Sequence, residues 1–176
     1  MKFAKKSYQI HKDIFIKTHD EKKMYSWARQ DTVDAWRHRR MRSNLDPLLE
    51  EYPEADWLTV GDGKYGTDAH YIKAKGGRVL ATDISDHYLK RAKQDGFIDD
   101  YRIENAEKLS FSDESFDFVV CKESYHHFPR PMIALYEMLR VAKIAVIMIE
   151  PNDFKITNIY DVKLLFCLVL LWRSAR

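Results

Sequence analysis

Cysteine is nearly absent: 176 residues hold two, Cys121 and Cys167. They lie far apart and form no metal-type spacing. That argues against a disulfide framework or a cysteine metal centre and fits a reducing cytoplasm. A dominant charge is also missing. Lys and Arg number 29 against 27 Asp and Glu, a formal net charge of +2. No broad field is left for binding nucleic acid or an acidic membrane surface. Long apolar runs are lacking too. The longest, Leu164–Trp172, has nine residues, against about 20 for a spanning helix. The N-terminal MKFAKKSYQIHKDIFIK carries lysines but no continuous apolar stretch, so no signal peptide is expected. What remains, 45% apolar and 32% charged, fits one soluble domain with a sizeable core.

Glycine is scarce at six residues, and three of the six stand in one place. Trp57 to Gly66 read WLTVGDGKYG, a short apolar strand running into Gly61-x-Gly63-x-x-Gly66. A second apolar strand, Arg78 to Thr82, ends on Asp83. Glycines let a backbone turn tightly and approach a ligand. A carboxylate at the next strand tip can accept from both hydroxyls of a ribose. Together these features describe a nucleotide site.

The remaining pattern alternates. Residues 1–19 are polar with isolated apolar positions and read as an arm or lid segment. Residues 20–42 read as helical, with Met24, Trp27, Ala28, Val33, Trp36 and Met41 at helical spacing and Asp31 as a cap within them. Pro47 opens a short helix that Pro53 closes. After the first strand come a helix from Thr67 to Lys75, stopped at Gly76-Gly77, and the strand from Arg78. A helix from about Ser85 to Gln94 follows, with Ser85 as N-cap and Gly96 as stop. A short strand covers Asp100 to Ile103. Phe116–Cys121 is almost continuously apolar, as a strand buried on both faces would be. Pro131–Val141 reads as a helix and Ile144–Ile149 as the fifth strand. Strands alternating with helices imply an α/β fold, a Rossmann-like parallel sheet covered on both faces.

Three chemistries compete for the glycine loop. A phosphate cradle of the GxxxxGK[S/T] kind fails, because Thr67-Asp68 follows Gly66. A nicotinamide dinucleotide would place its pyrophosphate at the helix start. Asp62 inside the loop and Asp68 in the first helical turn would repel it. A cationic sulfonium nucleoside suits such an acidic loop better.

VGDGKYG, then LATDIS, then ENAEKLSFSDESFDFVVCKESYHHFPRP resemble the class I S-adenosylmethionine-dependent methyltransferases, in particular the small methyltransferase type 11 group. The resemblance covers about residues 55 to 153. It implies that Gly61 and Gly63 pass under the methionine and ribose parts of S-adenosylmethionine. It also implies that Asp83 binds the ribose hydroxyls and Ile84 packs on adenine. Asn105 and Ala106 would sit at the adenine edge, and Lys122 near the methionyl end. The loop acid Asp62 joins this cofactor-binding set. Thr59 stands where the family often has an acid, and Val141-Ala142-Lys143 replaces the usual glycine-rich turn before the fifth strand.

His126, His127 and Glu123 are the candidate catalytic bases, with Tyr125 in the same loop. A structural reading stands beside each functional one. Asp83 caps a helix, Asn105 is a turn residue, Glu107 is a solvated surface acid, and the histidine pair begins a helix. The basic run Arg37–Arg42 is either an anion site or a solvated helix face. Tyr25, Trp27 and Trp36 either roof a site or pack in a core.

The expected organisation is an N-terminal arm and helical lid (1–54), a cofactor-binding core (55–153) and an apolar C-terminal segment (154–176). Asn158–Trp172, read as a helix, would be apolar on nearly every side. It implies a chain cut after the fifth strand, with an open sheet edge there, or a homodimer through this segment or that edge. The expected function is methyl transfer to an oxygen or nitrogen of a small-molecule or sugar-like acceptor. The rivals are an NAD(P)-dependent oxidoreductase and a non-catalytic interaction module with a degenerate fold.

Overall fold

The computed structural model describes residues 2–17, 26, 28, 29, 31–150 and 166–171. Its centre is a six-stranded sheet. Strands β1 (Asp56–Val60), β2 (Arg78–Asp83), β3 (Tyr101–Ile103), β4 (Phe116–Lys122), β5 (Ala142–Glu150) and β6 (Phe166–Leu171) lie in the order β3-β2-β1-β4-β5-β6. The first five are parallel and β6 is antiparallel to β5.

Alternation along the central strands builds a core on each face. Leu58, Val60, Val119, Cys121, Val146 and Met148 pack beneath Ala134, Met138 and Val141 of helix α6 (Pro131–Val141). The opposite face carries Trp57, Phe118, Val120, Ile147 and Ile149. It is covered from α2 (Val33–Arg42), α3 (Asp46–Glu51) and α4 (Thr67–Ala74), through Met41, Leu49 and Ile72 respectively. Trp57 and Phe118 stack at 4.5 Å between ring centroids. A third cluster joins α4 and α5 (His87–Gln94) to β2 through Ala69, Leu89, Ala92 and Ala81. Side chains two apart share a sheet face, so near-continuous apolar strands are what a sheet covered on both faces requires.

Three expectations change. Residues 2–17 form a helix, α1 (Lys2–Lys17), where little periodicity is visible. The segment holds no glycine or proline to break it, and tertiary docking supplies what a short isolated helix lacks. The second change is the cap of α2. Thr32, not Asp31, holds that end, its Oγ1 accepting from Ala35 N at 3.0 Å. Asp31 instead pairs with Arg29 at 2.7 Å. Met24 and Trp27 lie outside the described residues. The third change is at the C-terminus. Within the expected helix over 158–172, residues 166–171 are a strand, paired from Ala145↔Leu171 to Glu150↔Phe166. The edge beside β5 is therefore occupied rather than open. A run apolar at every position carries no period that separates buried strand from buried helix. The flanking residues 151–165 and 172–176 lie outside the described set. Among the described residues no helix is long and apolar enough to cross a membrane.

Candidate functional site

The strand order reverses between β1 and β4. In an open parallel sheet the loops leaving two such strands diverge, and a crevice opens at their carboxyl ends. A cavity lies there, with about 540 Å³ of empty space that includes its open mouth. Val60 and Gly61 line it from the end of β1, and Thr82, Asp83 and Ile84 from the end of β2. Glu104 to Glu107 follow β3, and Ser124, His127, Phe128 and Pro129 follow β4. Helix α1 adds Ser7 and Tyr8.

The two inner glycines serve close approach. Gly61 has φ +79°, and a Cβ there would stand 2.5 Å from Ser124 Cβ. The Ser124 hydroxyl donates to Gly61 O at 2.7 Å, which ties the β1 loop to the β4 loop. A Cβ on Gly63 would stand 2.7 Å from the Asp83 carboxyl carbon. That closeness lets the Gly63 N–H support the carboxylate, along with those of Ile84 and Ser85. Asp83 is 5% exposed. Burial pushes its pKa up to about 6 despite those three donors.

Two further acids line the cavity. Glu104 accepts from Ser110 N at 3.0 Å and from the Ser110 hydroxyl. Glu107, expected on the surface, is buried. It accepts from Arg130 N at 2.8 Å and Arg130 Nε at 2.5 Å. Asn105 Oδ1 accepts from Glu107 N at 3.0 Å, the local turn anticipated for it.

Of the expected site residues, Gly61, Asp83, Ile84, Asn105, Ala106 and His127 come together on the cavity, and Gly63 abuts Asp83. Four others are engaged elsewhere. Asp62 is the cap of α4: its carboxylate accepts from Asp68 N, Ala69 N and the Thr59 hydroxyl. Burial, then the nearby Asp68 charge, raises its pKa. Thr59 therefore has a local task as the anchor of Asp62. Lys122 lies 2.8 Å from Glu123 and 3.8 Å from Asp68, in a buried cluster that Arg42 joins through Asp68 at 2.6 Å. Burial alone would raise Asp68, but Lys122 and Arg42 outweigh it and hold the group lowered.

Glu123, at φ +51°, sits 3.1 Å from His38. Burial would raise it, yet His38 and Lys122 hold it far below the usual carboxylate range. Such a carboxylate is a weak base. His126 Nδ1 lies against Glu150 Oε2 at 2.5 Å. Glu150 Oε1 accepts from Ser124 N and Tyr125 N, holding the turn that leaves His127 on the cavity. From the basic run, Arg42 is buried against Asp68 and Arg37 pairs with Asp34 at 3.2 Å. Trp36 is 55% exposed and does not roof the cavity. Gly66, at φ +65°, begins α4.

A model of the methyltransferase domain family, type 11, matches residues 58–149, more than half of the chain. The chain belongs to this methyltransferase family. Its fold is that of the class I S-adenosylmethionine-dependent methyltransferases. The chain is similar to the PH0226 protein from Pyrococcus horikoshii at 26% identity, with TM-score 0.56, covering 69% of this chain and 60% of that one. It is similar to an S-adenosylmethionine-dependent methyltransferase from Methanosarcina mazei at 25% identity, with TM-score 0.53, covering 61% and 58%. Magnesium protoporphyrin IX methyltransferase from Synechocystis, solved with bound S-adenosylmethionine, shares the fold at 14% identity, with TM-score 0.67, covering 84% and 77%. Across three relatives at 25% to 28% identity, this chain spans 52% to 60% of the other's length. No curated protein sequence matches it significantly.

In this methyltransferase domain the start of α4 is closed to a pyrophosphate. The N–H groups of Asp68 and Ala69, which an anion would need, already serve the Asp62 carboxylate. Sequence reasoning passed over Glu104, Ser124, Phe128 and Tyr8. Glu104 had a usable signal: it follows β3 directly, at a strand tip like Asp83. Tyr8 had none, since no local pattern says where a docked helix will point.

Proposed function

We propose that this chain binds S-adenosylmethionine in the cavity and transfers its methyl group to an oxygen or nitrogen of a small-molecule or sugar-like acceptor. The observation that carries the reading is the buried Asp83 carboxylate at the tip of β2, in a cavity it shares with Glu104 and Glu107. Carboxylates fit ribose hydroxyls and a cationic ligand, and they disfavour phosphates. The donor set therefore fits S-adenosylmethionine. When bound, that group supplies a methyl carried on an electrophilic sulfonium.

The chain's own residues bind, orient and accept a proton. Asp83 takes the ribose hydroxyls, held in place by the Gly63, Ile84 and Ser85 N–H groups. Ile84 packs on the adenine. The Ala106 N–H and the remaining lone pair of Asn105 Oδ1 meet its edge. Gly61 keeps the loop flat beneath the ligand. His127, the histidine on the cavity, takes the acceptor's proton at a ring nitrogen, and Glu150 positions the turn that carries it. Holding the acceptor in line supplies most of the remaining acceleration. Residues 1–54 serve as a helical lid over the core at 55–153, in keeping with Ser7 and Tyr8 at the cavity.

Isothermal calorimetry with S-adenosylhomocysteine tests this. The wild-type chain is expected to bind, and Asp83→Ala to bind at least about tenfold more weakly, the loss of hydrogen bonds to a charged group. No binding by the folded protein, or equal binding by Asp83→Ala, would sink the reading.

A further inference from the structure

Glu107 ties together three segments that lie far apart in the chain. From the loop after β3 its carboxylate accepts from Arg130 N at 2.8 Å and from Arg130 Nε at 2.5 Å. Arg130 follows the cavity residues His127, Phe128 and Pro129 and leads into α6. Glu107 also takes the hydrogen bond of the Tyr8 hydroxyl, from α1, while Arg130 and Asn105 donate to the same hydroxyl oxygen. That hydroxyl is buried. The Glu107 side chain is 1% exposed and that of Arg130 48%. The joint therefore runs from the interior out to solvent, at the rim of the cavity.

A buried carboxylate is unfavourable unless it is paired and hydrogen-bonded. Here the pairing is complete only while α1, the β3 loop and the start of α6 stay together. The hold of α1 is otherwise narrow. Lys5, Lys6, Gln9 and Ile10, on either side of Ser7 and Tyr8, are exposed. Among its described side chains, only Ser7 and Tyr8 line the cavity. They stand over Asn105 to Glu107, beside the β2 tip that carries Asp83 and Ile84. An element with few buried contacts opens more readily than the sheet it rests on.

We infer that Glu107, with Tyr8 and Arg130, is a latch that keeps α1 closed over the β2–β3 corner of the cavity, so that a nucleoside bound there enters and leaves only when the latch opens. The inference rests on the reading of that corner as the nucleoside end of an S-adenosylmethionine site. The joint is made between protein groups and is already present in the ligand-free chain. It contributes equally to the free and bound states, and so sets the rate of exchange rather than the affinity.

Stopped-flow kinetics with S-adenosylhomocysteine test this in the full chain, in Tyr8→Phe and in Tyr71→Phe. Tyr8→Phe keeps the ring and removes the hydroxyl. Association and dissociation rates should both rise about tenfold, the loss of a hydrogen bond to a charged group, with the dissociation constant unchanged. Tyr71→Phe is the matched control: its hydroxyl donates to Asp46 at 2.7 Å, away from the cavity lining, and neither rate should move. Hydrogen exchange of the α1 amides without ligand should accelerate in Tyr8→Phe alone. Unchanged ligand rates, or unchanged exchange in α1, overturn the inference. Faster release at unchanged association makes Tyr8 a ligand contact and overturns it as well. Equal acceleration in Tyr71→Phe assigns the effect to general stability, with the same consequence. If the wild-type protein binds no S-adenosylhomocysteine, the S-adenosylmethionine reading has failed, and hydrogen exchange alone decides whether the joint holds α1.

Discussion

Replacing Gly63 by alanine adds one methyl group directly against the Asp83 carboxylate, where the structure has no room for it. The new Cβ would stand 2.7 Å from Asp83 Cγ and Oδ2 and 2.9 Å from Oδ1, where ordinary contact begins at 3.4 Å. The carboxylate must therefore move by more than half an ångström. Asp83 is buried, so the room must come from its packing and from its hydrogen bond to the Gly63 N–H. Overpacking of this kind costs about 1–3 kcal/mol. A central value of about 2 kcal/mol lowers the melting temperature by roughly 4–8 °C in a chain of this size. Because the same carboxylate is the proposed ribose ligand, affinity for S-adenosylhomocysteine should fall about tenfold or more. Gly96→Ala is the control. Gly96 has φ +72°, and a Cβ there would meet nothing within 4 Å. Its substitution should cost about 1 kcal/mol of backbone strain and leave affinity alone. Differential scanning fluorimetry and calorimetry read both effects. Gly63→Ala with wild-type melting and affinity would refute the close-approach argument, as would an equal affinity loss in Gly96→Ala.

Asp83 also predicts a pH dependence. Its folded pKa, about 6, lies above its ordinary value of 3.8, so the native state holds the proton more tightly than the unfolded chain. Its contribution to stability is thus complete below about pH 4 and is lost as pH rises through about 6, by up to about 3 kcal/mol. Chemical denaturation across pH 4 to 7 should show this decline in the wild type and a flatter profile in Asp83→Asn; parallel profiles would contradict it. Affinity for S-adenosylhomocysteine should climb over the same range as the carboxylate ionises. Phe118, fully buried and stacked on Trp57, should cost about 3–5 kcal/mol when replaced by alanine. A denaturant midpoint close to the wild type would show that the two-faced core is not the main support of the sheet.

The alternation of strands and helices from residue 56 to 150 was legible because each element carried its own period and its own punctuation. Pro131 opens α6, Gly76 and Gly96 stand beyond the ends of α4 and α5, and β4 is apolar throughout most of its length. The strand tips were legible too, since a parallel α/β sheet presents the residue after each strand to the same crevice. Asp83, Ile84, Asn105 and Ala106 reach the cavity by that rule. Side-chain direction was not legible. Asp62 sits between two glycines of the loop and still turns to cap α4. Lys122 and Glu123 stand at a strand tip and enter a buried charge cluster with Arg42, Asp68 and His38.

The sequence by itself determined the parallel sheet, its order of elements and the acid that faces the ligand crevice, because backbone periodicity and strand-end position are local properties. Only the tertiary structure decided which of two adjacent histidines faces the cavity, that Glu107 is buried against Arg130, that residues 166–171 pair with β5, and that Ser7 and Tyr8 of a distant helix line the cavity. Each of those depends on what lies across the fold. A carboxylate or hydroxyl turns toward whichever partner best satisfies it, and that partner is set by packing between segments far apart in the chain.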